Sequence, residues 1–157
     1  MLGARWSEID RKAKIWTIPA MRMKAGREHR VPLTDASLAI LDQVEAVRRG
    51  EYVFPGQKPD RPMSIMAMEM MLRRMRVDVT VHGFRSSFRD WAGERTAFPR
   101  EIAETALAHD VGDATERAYR RGDALEKRRA LMNAWSAFLA ARDDRRAASG
   151  KALPGVS

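Results

Sequence analysis

Residues 81–92, V-H-G-F-R-S-S-F-R-D-W-A, are the stretch on which the reading of this chain turns. Phe84, Phe88 and Trp91 recur at i, i+4 and i+7, the spacing of an apolar stripe on a helix. A helix is therefore expected from about Gly83 to Ala92, with those three rings as its buried face. His82 and Arg85 stand three apart at its start and so share a face, where the first-turn amides favour an anion. A guanidinium placed there can grip two non-bridging phosphate oxygens and hold harder as charge builds in a pentavalent transition state. A surface arginine beside a capping histidine satisfies the same short pattern.

Working downstream, Pro99 occupies a first helical position and opens a helix through Leu107. A second short helix is expected from Thr115 to Arg121. A last amphipathic helix should run from Leu125 to Ala140, with Leu131, Trp135, Phe138 and Leu139 in its stripe. Beyond Arg142 the apolar period is lost, so residues 143–157 are expected to form a flexible tail after a single domain of residues 1–142. Working upstream, Ala4–Ile9, Lys14–Ile18 and His29–Leu33 read as strands separated by turn-rich segments, a three-stranded antiparallel meander that must lean on helices. Thr34 is placed to cap a helix carrying Leu38, Leu41, Val44 and Val47, which Gly50 stops. Glu51–Asp60 holds Pro and Gly at turn positions and reads as a connection. Ser64 opens a methionine-rich helix to about Met75, in which Met66, Met70 and Met71 read as core filling. The expected class is α+β, mainly α.

Lys and Arg total 29 against 21 Asp and Glu, a net charge of +8 that favours a polyanionic partner, nucleic acid before membrane. The absence of cysteine excludes disulfides, thiolate nucleophiles and cysteine-based zinc sites. No apolar run approaches the ~18 residues of a membrane span and no signal-peptide core opens the chain. A cytoplasmic protein without a membrane partner is the expectation.

The sequence has no G-x-x-x-x-G-K-[ST] loop, no H-E-x-x-H and no acidic cluster spaced for two metals. If the protein cuts nucleic acid, a side-chain nucleophile must do so, with cationic groups neutralising the phosphate and neither metal nor cofactor required. Two further segments carry suitable groups. His109, in L-A-H-D, lies at a helix end, where a capping role is the ordinary one. Tyr119, in A-Y-R-R-G-D, sits among arginines on a polar stretch and is not placed like a core aromatic. A phenol with pKa near ~10 needs neighbouring cations or a base to attack at neutral pH.

In order, H-G-F-R-S-S-F-R-D-W-A, L-A-H-D-V-G-D-A-T-E-R-A-Y-R-R-G-D and E-K-R-R-A-L-M-N-A-W closely resemble the tyrosine recombinases of the prophage-integrase kind. W-S-E-I-D, M-K-A-G-R-E-H-R-V-P-L and E-Y-V-F-P-G upstream match as well, so the likeness spans roughly residues 1–140. The resemblance implies the DNA breaking-rejoining catalytic fold and site-specific recombination through a 3′-phosphotyrosyl intermediate. It implies Tyr119 as nucleophile, Arg85 as phosphate clamp, and His82 as a hydrogen-bond partner of the phosphate or acceptor of the tyrosine proton. His109 would hydrogen-bond a non-bridging oxygen, and Lys24, in the hairpin loop between the second and third strands, would protonate the leaving 5′-oxygen. Double-stranded DNA at attachment sites is the implied partner, with a tetramer on DNA for the full-length protein and a monomer or weak dimer for this chain.

Family members carry one more arginine just before the strand matched by A-R-W-S-E-I-D, and Arg5 falls after that position. The sequence thus reads as a catalytic domain lacking its first segment, expected to cleave DNA very slowly or not at all. A DNA-binding integrase remnant without chemistry and a type IB topoisomerase-like domain remain as alternatives. The DNA target sequence is not legible.

Overall fold

The computed structural model describes residues 2–58, 60–109 and 124–148. Mixed helix and strand are present as expected. A three-stranded antiparallel sheet comprises β1 (Ile9–Asp10), β2 (Ile15–Ile18) and β3 (His29–Pro32), in the order β1-β2-β3. Trp16 pairs with Ile9 on one side and Val31 on the other, fixing the register. Five helices are described: α1 (Asp35–Ala46), α2 (Ile65–Arg74), α3 (Val81–Arg95), α4 (Arg100–Ala106) and α5 (Leu125–Ala148). Among the described residues no helix is long and apolar enough to cross a membrane.

The first strand is shorter than its alternation suggests, because Ala4–Trp6 pairs elsewhere. Arg5 bridges to Tyr52, Trp6 N–H donates to the Glu51 carbonyl (3.0 Å), and Val53 N–H donates to that of Ala4 (2.9 Å). Trp6–Glu8 then makes a single 3-10 turn, which swings the Glu8 carboxylate inward. That carboxylate accepts from Trp16 Nε1 at 3.0 Å and from the Arg22 guanidinium. Ala4, Trp6, Trp16, Leu41 and Val53 form the core beneath the sheet, with Leu38 and Val44 of α1 packed against it. The Thr34 hydroxyl caps α1 by accepting from Ser37 N–H (3.2 Å).

A second core joins α3, α4 and α5 around Phe88, Trp91, Ile102, Ala103 and Leu131. Phe88 meets Trp135 edge-on at 5.6 Å, and Trp91 lies 4.9 Å from Trp135 and 5.7 Å from Phe138. Two arginines of α5 fasten this bundle to the sheet. Arg128, fully buried, donates from Nη1 to the Arg30 carbonyl of β3 at 2.6 Å. Arg129 donates to the Ala13 and Lys14 carbonyls of the β1–β2 turn, both at 3.3 Å.

Three expectations need correction. Met66, Met70 and Met71 do not fill a core: Met66 is 67% exposed, and the other two are about half exposed (46% and 51%). Their stripe is real, but no other described element covers it. Phe84 is 57% exposed for a related reason, since the aromatic layer of α5 covers α3 at Phe88 and Trp91 and not at its first turn. The last helix continues past Ala140 and through Arg142 to Ala148. Arg142 stacks over the Phe138 ring, 5.6 Å from its centre, and Arg145 Nε donates to the Ala141 carbonyl at 3.0 Å. Alanine and arginine are strong helix formers, so the turns persist without an apolar stripe.

Candidate active site

α3 begins two residues before Gly83. Thr80 is its cap, accepting Gly83 N–H at 3.0 Å on Oγ1. His82 therefore sits exposed on the first turn, and Arg85 follows half-buried. The Arg85 guanidinium donates from Nη2 to the carbonyl of Leu107, the residue that ends α4. Such a carbonyl has no partner within its own helix. Arg85 satisfies it and keeps further N–H donors of its fork for another acceptor.

The turn after Leu107 carries His109. Ala108 adopts a left-handed conformation (φ 55°), Ala108 N–H donates to Thr105 O (3.0 Å), and His109 N–H donates to Glu104 O (2.9 Å). This is a Schellman ending, which sets the third-last helical side chain against the one two residues beyond the cap. An apolar contact commonly fills that place; here it holds Glu104 and His109, with Oε2 2.5 Å from Nδ1. Because alanine strains at positive φ, Ala108→Gly should stabilise the protein by about 0.5–1 kcal/mol, seen as a higher urea midpoint. An unchanged or lower midpoint would contradict the strain.

Glu104 is only 12% exposed and gathers a histidine and two arginines. Besides His109, Arg89 Nε on α3 lies 3.1 Å from Oε1, a charge contact without hydrogen-bond alignment, and Arg100 Nε lies 3.7 Å away. The His109 hydrogen bond, with smaller help from Arg89 and Arg100, holds the Glu104 carboxyl below its ordinary range against the opposing effect of burial. A carboxyl lowered in the folded state adds stability above its unfolded pKa, and loses it as pH falls through the folded value. The stability gap between wild type and Glu104→Gln should accordingly be full above about pH 4.5 and shrink below it, as urea unfolding at successive pH values would record.

Lys24 is exposed on the β2–β3 connection and has no hydrogen bond or ion pair among the described residues. Its turn closes through Gly26, whose φ of +62° favours glycine and whose N–H donates to Met23 O at 3.0 Å. Arg22 ties the base of this loop to Glu8 and to the Gly3 carbonyl. Arg5 is committed elsewhere, to Glu51 at 3.0 Å and over the Tyr52 ring at 5.2 Å. Arg85 and the 107–109 corner are thus brought together, and Lys24 is carried on a separate element. Tyr119 lies outside the described residues, as does the helix expected from Thr115 to Arg121. Glu104 and Arg89 are site neighbours that the sequence reading passed over.

The model of the phage integrase family matches residues 1–126. The chain belongs to that family. It is 41% identical over 144 residues to the prophage integrase IntA of Escherichia coli K12, covering 89% of this chain and 35% of that protein. Similarity extends to the prophage integrase IntZ of the same strain (34% over 131 residues; 82% and 32%) and to the integrase of Enterobacteria phage P4 (30% over 155 residues; 87% and 35%). This integrase-family chain thus spans about a third of the length of the curated relatives it matches. No solved structure gives a significant match. Family membership makes the chain a relative of tyrosine recombinases, and the Arg85–His109 corner falls inside the matched residues.

Proposed function

We propose that this chain is the catalytic domain of a site-specific DNA recombinase with the breaking-rejoining fold, acting in the cytoplasm on double-stranded attachment sites. The observation that supports the reading most is the docking of Arg85 on the end of α4, which sets its guanidinium beside the His109 turn. The Tyr119 phenol oxygen attacks the scissile phosphorus while the bond from phosphorus to the 5′-oxygen breaks. Lys24 gives its proton to that 5′-oxygen, and His82 accepts the phenol proton or hydrogen-bonds the phosphate. Arg85 and His109 hold non-bridging oxygens as charge develops. The phosphotyrosyl ester conserves the energy of the broken phosphodiester, so attack by a 5′-hydroxyl rejoins DNA without ATP.

The same reading includes assembly of the full-length protein as a tetramer on DNA, with these residues alone monomeric or weakly dimeric. It also includes very slow or no cleavage by residues 1–157 when tested alone, without the arginine expected before Ala4. Removing one oxyanion-type donor costs ~3–4 kcal/mol of transition-state stabilisation. A nicked suicide duplex, which loses the attacking 5′-hydroxyl and traps the intermediate, is the test, with a labelled 3′ strand and long incubation. The expected result is a covalent adduct mapping to the peptide of Tyr119, faint or absent with residues 1–157 alone and strong once an arginine-bearing upstream segment is supplied. Salt-sensitive DNA binding with no adduct, persisting when an arginine-bearing upstream segment is added, would leave a DNA-binding remnant instead. Relaxation of supercoils without joining of two duplexes would favour the topoisomerase-like reading.

A further inference from the structure

Glu104 has no role in the chemistry set out above, yet its carboxylate directly contacts the ring of a proposed catalytic group, His109. We propose that Glu104 is the positioning residue for His109: it takes the Nδ1 proton in a hydrogen bond, fixes the ring, and leaves Nε2 as the nitrogen that meets the DNA phosphate. The role of His109 rests on the recombinase reading, whereas the Glu104–His109 coupling does not.

Three observations converge on it. An ionised carboxylate can only accept hydrogen bonds, so the 2.5 Å contact to Oε2 requires the proton on Nδ1. The hydrogen bond at one imidazole nitrogen sets the state of the other, so Nε2 is the nitrogen left for substrate. With both nitrogens protonated, the ring donates to Glu104 and to a non-bridging oxygen together. Next, the ring is held at both ends of its lever: the His109 backbone N–H is bonded to the Glu104 carbonyl while its side chain is bonded to the Glu104 carboxylate. A ring so fixed is half exposed (42%), whereas its partner is 12% exposed. Finally, Glu104 is itself oriented by Arg89 of α3, one turn beyond Arg85, and by Arg100 on its own helix. Arg85 and Arg89 of α3 thus engage the end of α4 together, one through the Leu107 carbonyl and one through the carboxylate that holds His109.

The chain has three histidines, His29, His82 and His109, so long-range nitrogen NMR of the whole chain can assign each imidazole. His109 in the wild type should show a protonated Nδ1, and Glu104→Ala should shift it towards the Nε2–H form common in free histidine, with His82 unchanged. Arg100→Gln, which leaves the Nδ1 contact intact, should leave the tautomer as it is. In the suicide-substrate assay, run with the arginine-bearing upstream segment supplied, Glu104→Ala should slow adduct formation about 10–100-fold, by analogy with removing the outer-shell partner of a metal-bound histidine. Glu104→Gln, whose amide oxygen still accepts, should recover most of that loss. In a His109→Ala background, Glu104→Ala should cost nothing further. An unchanged tautomer in Glu104→Ala, or an equal loss with and without His109, would overturn the proposal in favour of a purely structural ion cluster. A wild type that makes no adduct even with an arginine-bearing upstream segment supplied counts against the recombinase reading, while the NMR result still decides whether Glu104 sets the His109 ring.

Discussion

Tyr119→Phe should reduce covalent adduct formation by at least about 10⁴-fold while leaving DNA binding within twofold. Loss of a nucleophile in a covalent mechanism removes the reaction path itself, and the corresponding change in other such enzymes costs ~10⁶. Phenylalanine keeps the ring and deletes only the oxygen, so phosphate contacts, which dominate non-specific affinity and its salt dependence, should persist. The chain has just two tyrosines, which makes the assignment sharp. Tyr52, the other, is tied to the first core: its hydroxyl accepts from Arg5 Nη2 at 3.4 Å, its ring lies under the Arg5 guanidinium, and its backbone bridges to Arg5. Tyr52→Phe should form adduct at the wild-type rate. An adduct that survives in Tyr119→Phe and disappears in Tyr52→Phe would reverse the assignment. The phenol also depends on its company, because at a pKa near ~10 only about one in a thousand is ionised at pH 7. Arg85→Ala should for that reason be far more damaging than the loss of an ordinary surface arginine.

Much of this arrangement was legible in residue spacing, and the failures have common causes. Thr34 and Ser64 read correctly as helix-start signals, because capping is local chemistry between a side chain and an amide three residues away. Pro99, read as a first helical residue, instead stands one position before Arg100 and caps nothing with its side chain. The antiparallel meander was equally local. Periodicity, by contrast, reports which residues share a face and not what covers it. Phe84 and Phe88 share the stripe on α3, yet only Phe88 lies under the rings of α5. The methionines of α2 fail in the same way. Ala4–Ile9 alternates like one strand, but its first half pairs with residues 51–53, a choice made by tertiary hydrogen bonds. Glu104 escaped notice because it stands five positions before His109, outside the i+3 and i+4 rule. A Schellman ending brings such a pair together, and the glycine that would have announced one is here Ala108.

Arg128→Ala should destabilise the protein by about 3–5 kcal/mol, lowering the melting temperature by roughly 10 °C for a chain of this size. A hydrogen bond from a charged group contributes ~1.5–3 kcal/mol, and truncating a fully buried long side chain adds a cavity term of similar size. Arg128→Met, which retains the bulk and omits the charge, should recover more than half of the loss, since apolar replacement of a buried charge is often tolerated. Leu131 on the next turn of α5 is equally buried and supplies the comparison. Leu131→Ala should cost a similar ~3–5 kcal/mol, but from the helical core alone. The two differ in where the structure opens. Arg128 binds β3 through the Arg30 carbonyl, so its loss should raise amide exchange first at Thr17 and Val31 in the sheet. Leu131 packs with Phe88 and Trp91, so its loss should raise exchange first in α3 and α4. Identical exchange patterns in the two variants would mean that sheet and bundle open as one unit, and that Arg128 is not the fastening between them. If the patterns separate, the fastening has a functional consequence. The sheet presents Lys24, and the bundle presents Arg85 and His109, so the alignment of the proposed leaving-group acid and phosphate clamp would depend on Arg128, alongside the Arg129 contacts to the β1–β2 turn.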